Sequence, residues 1–195
     1  MQKYDAFILF GAPGCGKGTQ GRALGALPGF FYCACGDIFR SISTTTPLGR
    51  TVAEYSNRGE LVPDSITVKL WKTHLDNCVQ IRAFNPERDK LLLDGIPRNI
   101  TQAHLLADSI NIKALLNLWC SDRVELVARL CRRAVRENRL DDANENVIRH
   151  RLEVFELMSR PLLDFYGPKL VFNIDSQNPP MEVLFEILKQ MRNIT

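Results

Sequence analysis

Short, wholly apolar runs alternate along this chain with longer stretches in which apolar residues return at helical spacing. The runs are Ala6–Phe10, Phe30–Ala34, Lys90–Leu93, Ala114–Trp119 and Leu170–Ile174. A strand that is apolar at successive positions, not merely at alternate ones, is buried on both faces, and such strands separated by helices are joined by crossovers. The pattern predicts an α/β fold, a doubly wound parallel sheet with helices on both faces and ligands collecting at the carboxyl ends of the strands. Asp64 or Ser65 is expected to cap a helix running through Trp71 and Leu75, and Ser121 or Asp122 one through Val127 and Leu130. Pro28 and Gly167 punctuate the pattern, and residues 141–165 read as one long helix. With no internal repeat, low-complexity tract or Pro/Ser-rich linker, any subdomain must be an insertion into one core. The candidates are 34–62 and a short segment at 132–142, leaving 1–33, 63–131 and 143–195 as the core.

Composition narrows the function without naming it. A length of 195 residues supports one sizeable core rather than two full domains. The net charge of +3 comes from 25 basic residues interleaved with 22 acidic ones, which is an ordinary solvated surface and argues against a nucleic-acid partner. No apolar run approaches the roughly 18 residues of a membrane span. Met1–Asp5 leads directly into the first strand, so neither a signal peptide nor a membrane partner is expected, and the protein is read as cytoplasmic. Cys15, Cys33, Cys35, Cys78, Cys120 and Cys131 are scattered and include no C-x-x-C pair, as reduced thiols would be. Cys33 and Cys35 would share a face of a strand, but no second pair or histidine cluster completes a zinc site.

The first run feeds Gly11-Ala12-Pro13-Gly14-Cys15-Gly16-Lys17-Gly18-Thr19-Gln20. Glycines let a backbone turn sharply and aim successive N–H groups at an anion, the following helix adds its positive end, and Lys17 supplies a mobile charge for β- and γ-phosphates. This is the pattern of a nucleoside triphosphate site and implies a P-loop NTPase fold. Gly18 directly follows the lysine and the hydroxyl arrives one position later as Thr19, which marks a subtype.

A second anion site follows the strand at Lys90–Leu93. Asp94 stands where a carboxylate can hold Mg²⁺ directly or through water, Gly95 permits close backbone approach, Pro97 stiffens the turn and Arg98 offers a planar fork to phosphate. Gln102, four residues on, has a donor and an acceptor on one planar group and so can pair with the ring nitrogen and exocyclic amine of adenine.

The first loop resembles the G-x-P-G-x-G-K-G-T-Q of adenylate kinases and other nucleoside monophosphate kinases. Asp94-Gly95-Ile96-Pro97-Arg98 with Gln102 resembles their D-G-[FY]-P-R-x-x-x-Q, with Ile96 replacing the aromatic. Cys35-Gly36-Asp37-Ile38-Phe39-Arg40 resembles T-G-D-x-x-R, and Gly59-Glu60-Leu61-Val62-Pro63-Asp64 resembles G-x-L-V-x-D. The resemblance implies that 34–62 is the monophosphate-binding insertion. It implies that Arg40 and Arg98 grip the AMP phosphate, and that Cys35, the backbone of Glu60, Leu61 and Val62, the Gly95-Ile96-Pro97 turn and Gln102 line the AMP site. Gln102 favours AMP; UMP/CMP kinases, the alternative, typically carry asparagine there. Cys35 stands where adenylate kinases usually have threonine.

Between Ser121 and Arg151 stand eight arginines and six acids. Arg123, Arg132, Arg136 and Arg149 suit a solvated face. Arg129 and Arg133 are four apart, reach one side of a helix, and match the R-x-x-x-R that points to ATP phosphates in nucleotide kinases. Arg139-Leu140-Asp141-Asp142 resembles R-x-D-D, and Val147-Ile148-Arg149-His150-Arg151-Leu152 the closing [VI]-x-x-R-L. By that resemblance Arg139 and Arg151 clamp both phosphate chains. The interval between them is one residue longer than common, near Ala143, so Arg149 is the alternative to Arg151. His150 is read as a surface or half-buried residue. The lid at 132–142 is of the short kind, without structural zinc.

The resemblance implies Mg²⁺-dependent, reversible transfer from ATP to AMP giving two ADP, by a monomer. ATP would contact Gly14, Cys15, Gly16, Lys17, Gly18, Thr19, Arg129, Arg133 and Asn178, the last in Asp175-Ser176-Gln177-Asn178 after the final strand. Lys17, Asp94, Arg98, Arg133, Arg139 and Arg151 would carry the transfer. A non-catalytic nucleotide-binding module is the remaining alternative, although none of these groups is missing. Two readings of Cys15 stand: a thiolate stabilised by loop N–H groups and open to alkylation, or a shielded filler, which is favoured because that loop position varies in the family.

Overall fold

The protein's structure, a computed structural model, describes residues 3–137, 139, 142–192 and 194. Among these are five parallel strands, β1 (Tyr4–Phe10), β2 (Phe30–Ala34), β3 (Lys90–Asp94), β4 (Ile110–Trp119) and β5 (Val171–Asp175), in the order β2-β3-β1-β4-β5. Ala6 to Phe10 and Leu91 to Leu93 are buried without a break, because helices cover both faces. Ile8, Leu91, Leu93 and Leu115 face one core with Trp71 and Leu75, while Phe7, Leu9, Leu92 and Leu116 face another with Leu126, Leu152 and Ile187.

The first core is closed by α2 (Cys35–Ser41), α4 (Asp64–Gln80), α5 (Ile100–Leu106) and α8 (Leu162–Tyr166), the second by α1 (Lys17–Gly25), α6 (Arg123–Glu137), α7 (Glu145–Val154) and α9 (Pro180–Arg192). Together with α3 (Pro47–Arg58), α2 fills the segment between β2 and α4. Cys33 ends up in β2 and Cys35 at the start of α2, both buried in the first core, so they do not share a strand face.

Two helix expectations need correction. The N-cap of α4 is Pro63, with no side-chain cap. Asp64 instead accepts from Asn99 Nδ2 at 2.9 Å and Gln102 Nε2 at 2.8 Å, so its carboxylate is spent on a tertiary contact. Asp122 does accept from the backbone N–H of Glu125 at 2.9 Å, as an N-terminal cap should. The single long helix over 141–165 is not found: α7 starts at Glu145 behind an Asn144 cap, passes into a π-helical turn at Phe155–Ser159, and gives way to α8 after Pro161. Pro161 has no N–H to offer an earlier carbonyl and its ring crowds the preceding turn. Asp141, where that helix was expected to begin, lies outside the described residues.

Candidate active site

The carboxyl ends of β1 and β3 lie side by side, with Leu9 paired to Asp94. The loop leaving β1 reaches α1 through Gly16, whose φ of 95° is open to glycine without strain. Gly11 is required on two counts, a φ of 132° and the carbonyl of Leu118, which would lie 2.2 Å from a Cβ. The Lys17 ammonium spans the loop, donating to the carbonyl oxygens of Gly11 at 2.7 Å and Ala12 at 2.9 Å. Gln20 Nε2 donates to the Pro180 carbonyl at 2.9 Å, tying the first turn of α1 to α9.

Cys15 lies beneath this loop at 2% exposure, packed in the core with Leu9 and Leu118, which favours the filler reading. We expect iodoacetamide to label the exposed Cys131 of native protein and spare Cys15, and Cys15→Ala to keep its activity. Mass spectrometry of the intact, folded protein checks this, and early Cys15 labelling with loss of activity would reverse it.

At the end of β3, Asp94 Oδ2 accepts from the Tyr32 hydroxyl at 2.7 Å. Burial first, and then the Asp94 charge, push the Tyr32 phenol far above its ordinary value, so it stays protonated and donates. Arg98 is held along its own backbone: its N–H donates to Gln102 Oε1 at 2.8 Å, and its carbonyl accepts from Ser159 Oγ at 2.7 Å. Its Nε donates to the Gly95 carbonyl at 3.0 Å, which orients the guanidinium beside the turn.

The side chain of Gln102 is not presented to the cleft as expected. It is buried to 1% exposure between the Arg98 N–H and Asp64, because only there are both ends of its amide satisfied. Cys35, Val62 and Ile96 are likewise buried in the protein and do not line the cleft, since apolar packing in the insertion and beneath the turn claims them. Burial pushes the Cys35 thiol up to about 12, against the opposing pull of Arg98, leaving it neutral at physiological pH. Glu60 is exposed and paired with Arg58 at 3.1 Å, while Leu61, Gly95, Pro97 and Arg40 do line the cleft, with Arg40 paired to Asp37.

Across the cleft, Asp142 is completely buried and gathers three arginines. Arg133 Nε donates to its Oδ2 at 2.7 Å, Arg139 Nε stands 3.7 Å from the same oxygen, and Arg151 Nη1 donates to Oδ1. Arg129 donates to Glu125 at 3.0 Å and to the Ser176 carbonyl at 3.0 Å, drawing the loop after β5 toward α6. Arg151, not Arg149, borders the cleft; Arg149 is exposed and bonded to Glu145. Arg132 and Arg136, assigned to a solvated face, are exposed but sit on the cleft rim, whereas Arg123 and His150 are exposed away from it. Leu140 and Asp141 of the expected R-x-D-D stretch lie outside the described residues.

The Lys17 loop, the turn from Asp94 to Arg98 and the arginine cluster open into one cavity of about 580 Å³, bordered also by Gly14, Gly16, Gly18, Thr19 and Asn178. Ten of its lining residues are Lys or Arg and three are Asp or Glu, a local excess well above the +3 of the whole chain. Such a cleft attracts polyanions. The family model described as adenylate kinase matches residues 9–171, a span that takes in the Lys17 loop, Asp94, Arg98 and all three arginines on Asp142.

The chain belongs to the adenylate kinase family.

Similar proteins named adenylate kinase include one from Thermobifida fusca (strain YX), 40% identical over 183 residues covering 90% of this chain and 92% of the relative. Another, from Synechococcus sp. (strain JA-2-3B'a(2-13)), is 36% identical over 94% of each chain. A third, from Cyanothece sp. (strain PCC 7425 / ATCC 29141), is 38% identical over 92% of this chain and 91% of the relative. Family motifs identify the arginines in this chain, but sequence reasoning passed over the groups that hold them. Asp142 lay in the R-x-D-D stretch and could have been suspected from its neighbours. Tyr32, Ser159 and Arg22, which also borders the cleft, carry no signal short of the fold.

Proposed function

We propose that this protein is an adenylate kinase, transferring the γ-phosphoryl group of ATP reversibly to AMP to give two ADP. The observation that carries the reading is the convergence, in one cleft, of the Lys17 loop, Arg98 and the Asp142-bound arginines. ATP is held by the backbone of residues 14–19, by Lys17, Arg129 and Arg133, with its base near Asn178. AMP lies under the 34–62 insertion, its phosphate on Arg40, Arg98, Arg139 and Arg151. The segment 132–142 acts as a short lid.

The acceptor phosphate is already a nucleophile, so positioning and charge neutralisation suffice without a general base. Lys17 follows the transferring group from the donor side, while Arg98, Arg133, Arg139 and Arg151 offset the repulsion between the two anions. Among the described residues no group of three or more His, Cys, Asp or Glu could hold a metal, and Asp94 is the carboxylate beside the phosphate loop. That sparse set of hard oxygen donors fits Mg²⁺ carried largely by phosphate and water, with Asp94 as its protein contact. Bound there, Mg²⁺ would neutralise charge on the β- and γ-phosphates. Closure of both insertions keeps water from the reacting group.

The Gln102 amide has spent one N–H and one lone pair, and a primary amide retains one more of each. These meet adenine once the insertion shifts to admit AMP. The protein is read as a cytoplasmic monomer; no helix among the described residues is long and apolar enough to cross a membrane, and the six cysteines are free.

A coupled assay with ATP and AMP, UMP or CMP tests the reading. AMP is expected to be the preferred acceptor by at least ~10-fold in kcat/KM, and Gln102→Ala to raise the KM for AMP more than it lowers turnover. Preference for UMP or CMP would make this a pyrimidine-nucleotide kinase, and no turnover with any acceptor would leave only nucleotide binding.

A further inference from the structure

Glycine recurs one helical turn apart in α1, at Gly21 and Gly25, a composition that weakens a helix interior. The physical reason lies in β2. A Cβ on Gly21 would stand 2.1 Å from Cε2 of Tyr32, and one on Gly25 2.5 Å from the Tyr32 Cβ. The two glycines therefore leave a slot for the Tyr32 ring between helix and sheet. Tyr32 is two residues before Ala34, the β2 partner of Asp94 in register, and from the slot its hydroxyl reaches Asp94 Oδ2 at 2.7 Å. Among the described residues this is the carboxylate's hydrogen bond, so Asp94 is held from one side by a neutral donor.

We propose that Tyr32 is a positioning residue for the metal-bearing nucleotide: its hydroxyl fixes Asp94 in the orientation that leaves the second carboxylate oxygen for Mg²⁺ or a water bound to it. The inference rests on the adenylate kinase reading of the cleft. Mg²⁺ demands near-octahedral geometry, so a carboxylate free to rotate meets it in only a fraction of its conformers. A cationic partner would also restrain Asp94 but would cancel the charge that attracts the ion. A phenol restrains it and leaves that charge in place.

Tyr32→Phe keeps the ring and its slot and deletes only the donor. Calorimetric titration with a non-hydrolysable ATP analogue, once in Mg²⁺ and once in EDTA, reads the gain in affinity due to metal. In the variant the metal-free affinity should match wild type, while the gain due to Mg²⁺ falls by about tenfold, the usual cost of losing a group that orients a metal ligand. Turnover should then need a correspondingly higher free Mg²⁺ concentration and recover when it is supplied. Equal gains in variant and wild type would overturn the proposal, and so would a loss of affinity of the same size with and without metal, which marks packing alone. Wild-type protein that shows no Mg²⁺-dependent gain and no phosphoryl transfer would instead remove the adenylate kinase reading, a distinct outcome.

Discussion

Lys17→Met should fold and yet lose at least ~10²-fold in turnover, the scale expected when a preorganised charge is withdrawn from a transition state. Methionine keeps the length of the side chain, so the loss isolates the charge. In the free protein the ammonium bridges the carbonyl oxygens of Gly11 and Ala12, two half-buried contacts of a charged donor, each worth about 1.5–3 kcal/mol when buried and less where solvent reaches it. The loop backbone is set independently by glycine conformations and by the Gln20 tie to Pro180, so it survives the substitution. Steady-state turnover with ATP and AMP, alongside a thermal melt, checks both halves. A folded variant with near-normal turnover would remove Lys17 from the chemistry.

Asp142→Ala should damage stability and catalysis together. The Asp142 side chain has no exposed surface, and Arg133, Arg139 and Arg151, at 27%, 13% and 14% side-chain exposure, share it as a common counter-charge. Removing that carboxylate takes a shared, buried counter-charge from three cations at once, and breaking a buried ionic group in this way costs ~3–5 kcal/mol. The partial exposure of the arginines places this case toward the lower end. Once the cluster spreads, several phosphate contacts are misplaced at the same time, and turnover should fall by roughly 10² or more even at a temperature where the variant is fully folded. Asp142→Asn keeps the size and one acceptor oxygen and should fall between. Wild-type kcat/KM for both nucleotides in a folded Asp142→Ala would show that other groups position the arginines.

Much of this was legible in the chain. Buried parallel strands announce themselves as unbroken apolar runs, and β2, β3 and β5 begin and end within a residue of the expected limits; β1 starts two residues earlier, at Tyr4, and β4 four earlier, at Ile110, where polar side chains alternate with apolar ones. The break at Pro161 was also written in the sequence, since proline cannot continue the hydrogen-bond ladder, although helical spacing on either side obscures it. Gln102 was legible only in part. Its spacing from Arg98 is local, but its burial depends on Asp64, 38 residues away, which draws the amide inward and is itself drawn from its expected capping role.

The sequence by itself determined the architecture and singled out the groups proposed to react. Alternation of apolar runs with helical spacing, and the glycine, lysine and arginine positions of the loops, act over a few residues through backbone conformation and need no distant partner. The tertiary structure alone decided which charges share a counter-ion, which polar groups are buried, and which side chains hold the reacting ones. Electrostatic and hydrogen-bond partners are chosen by distance in space: the folded sheet brings Tyr32 to Asp94, and the approach of α6 and α7 brings Arg133 and Arg151 to the one carboxylate of Asp142.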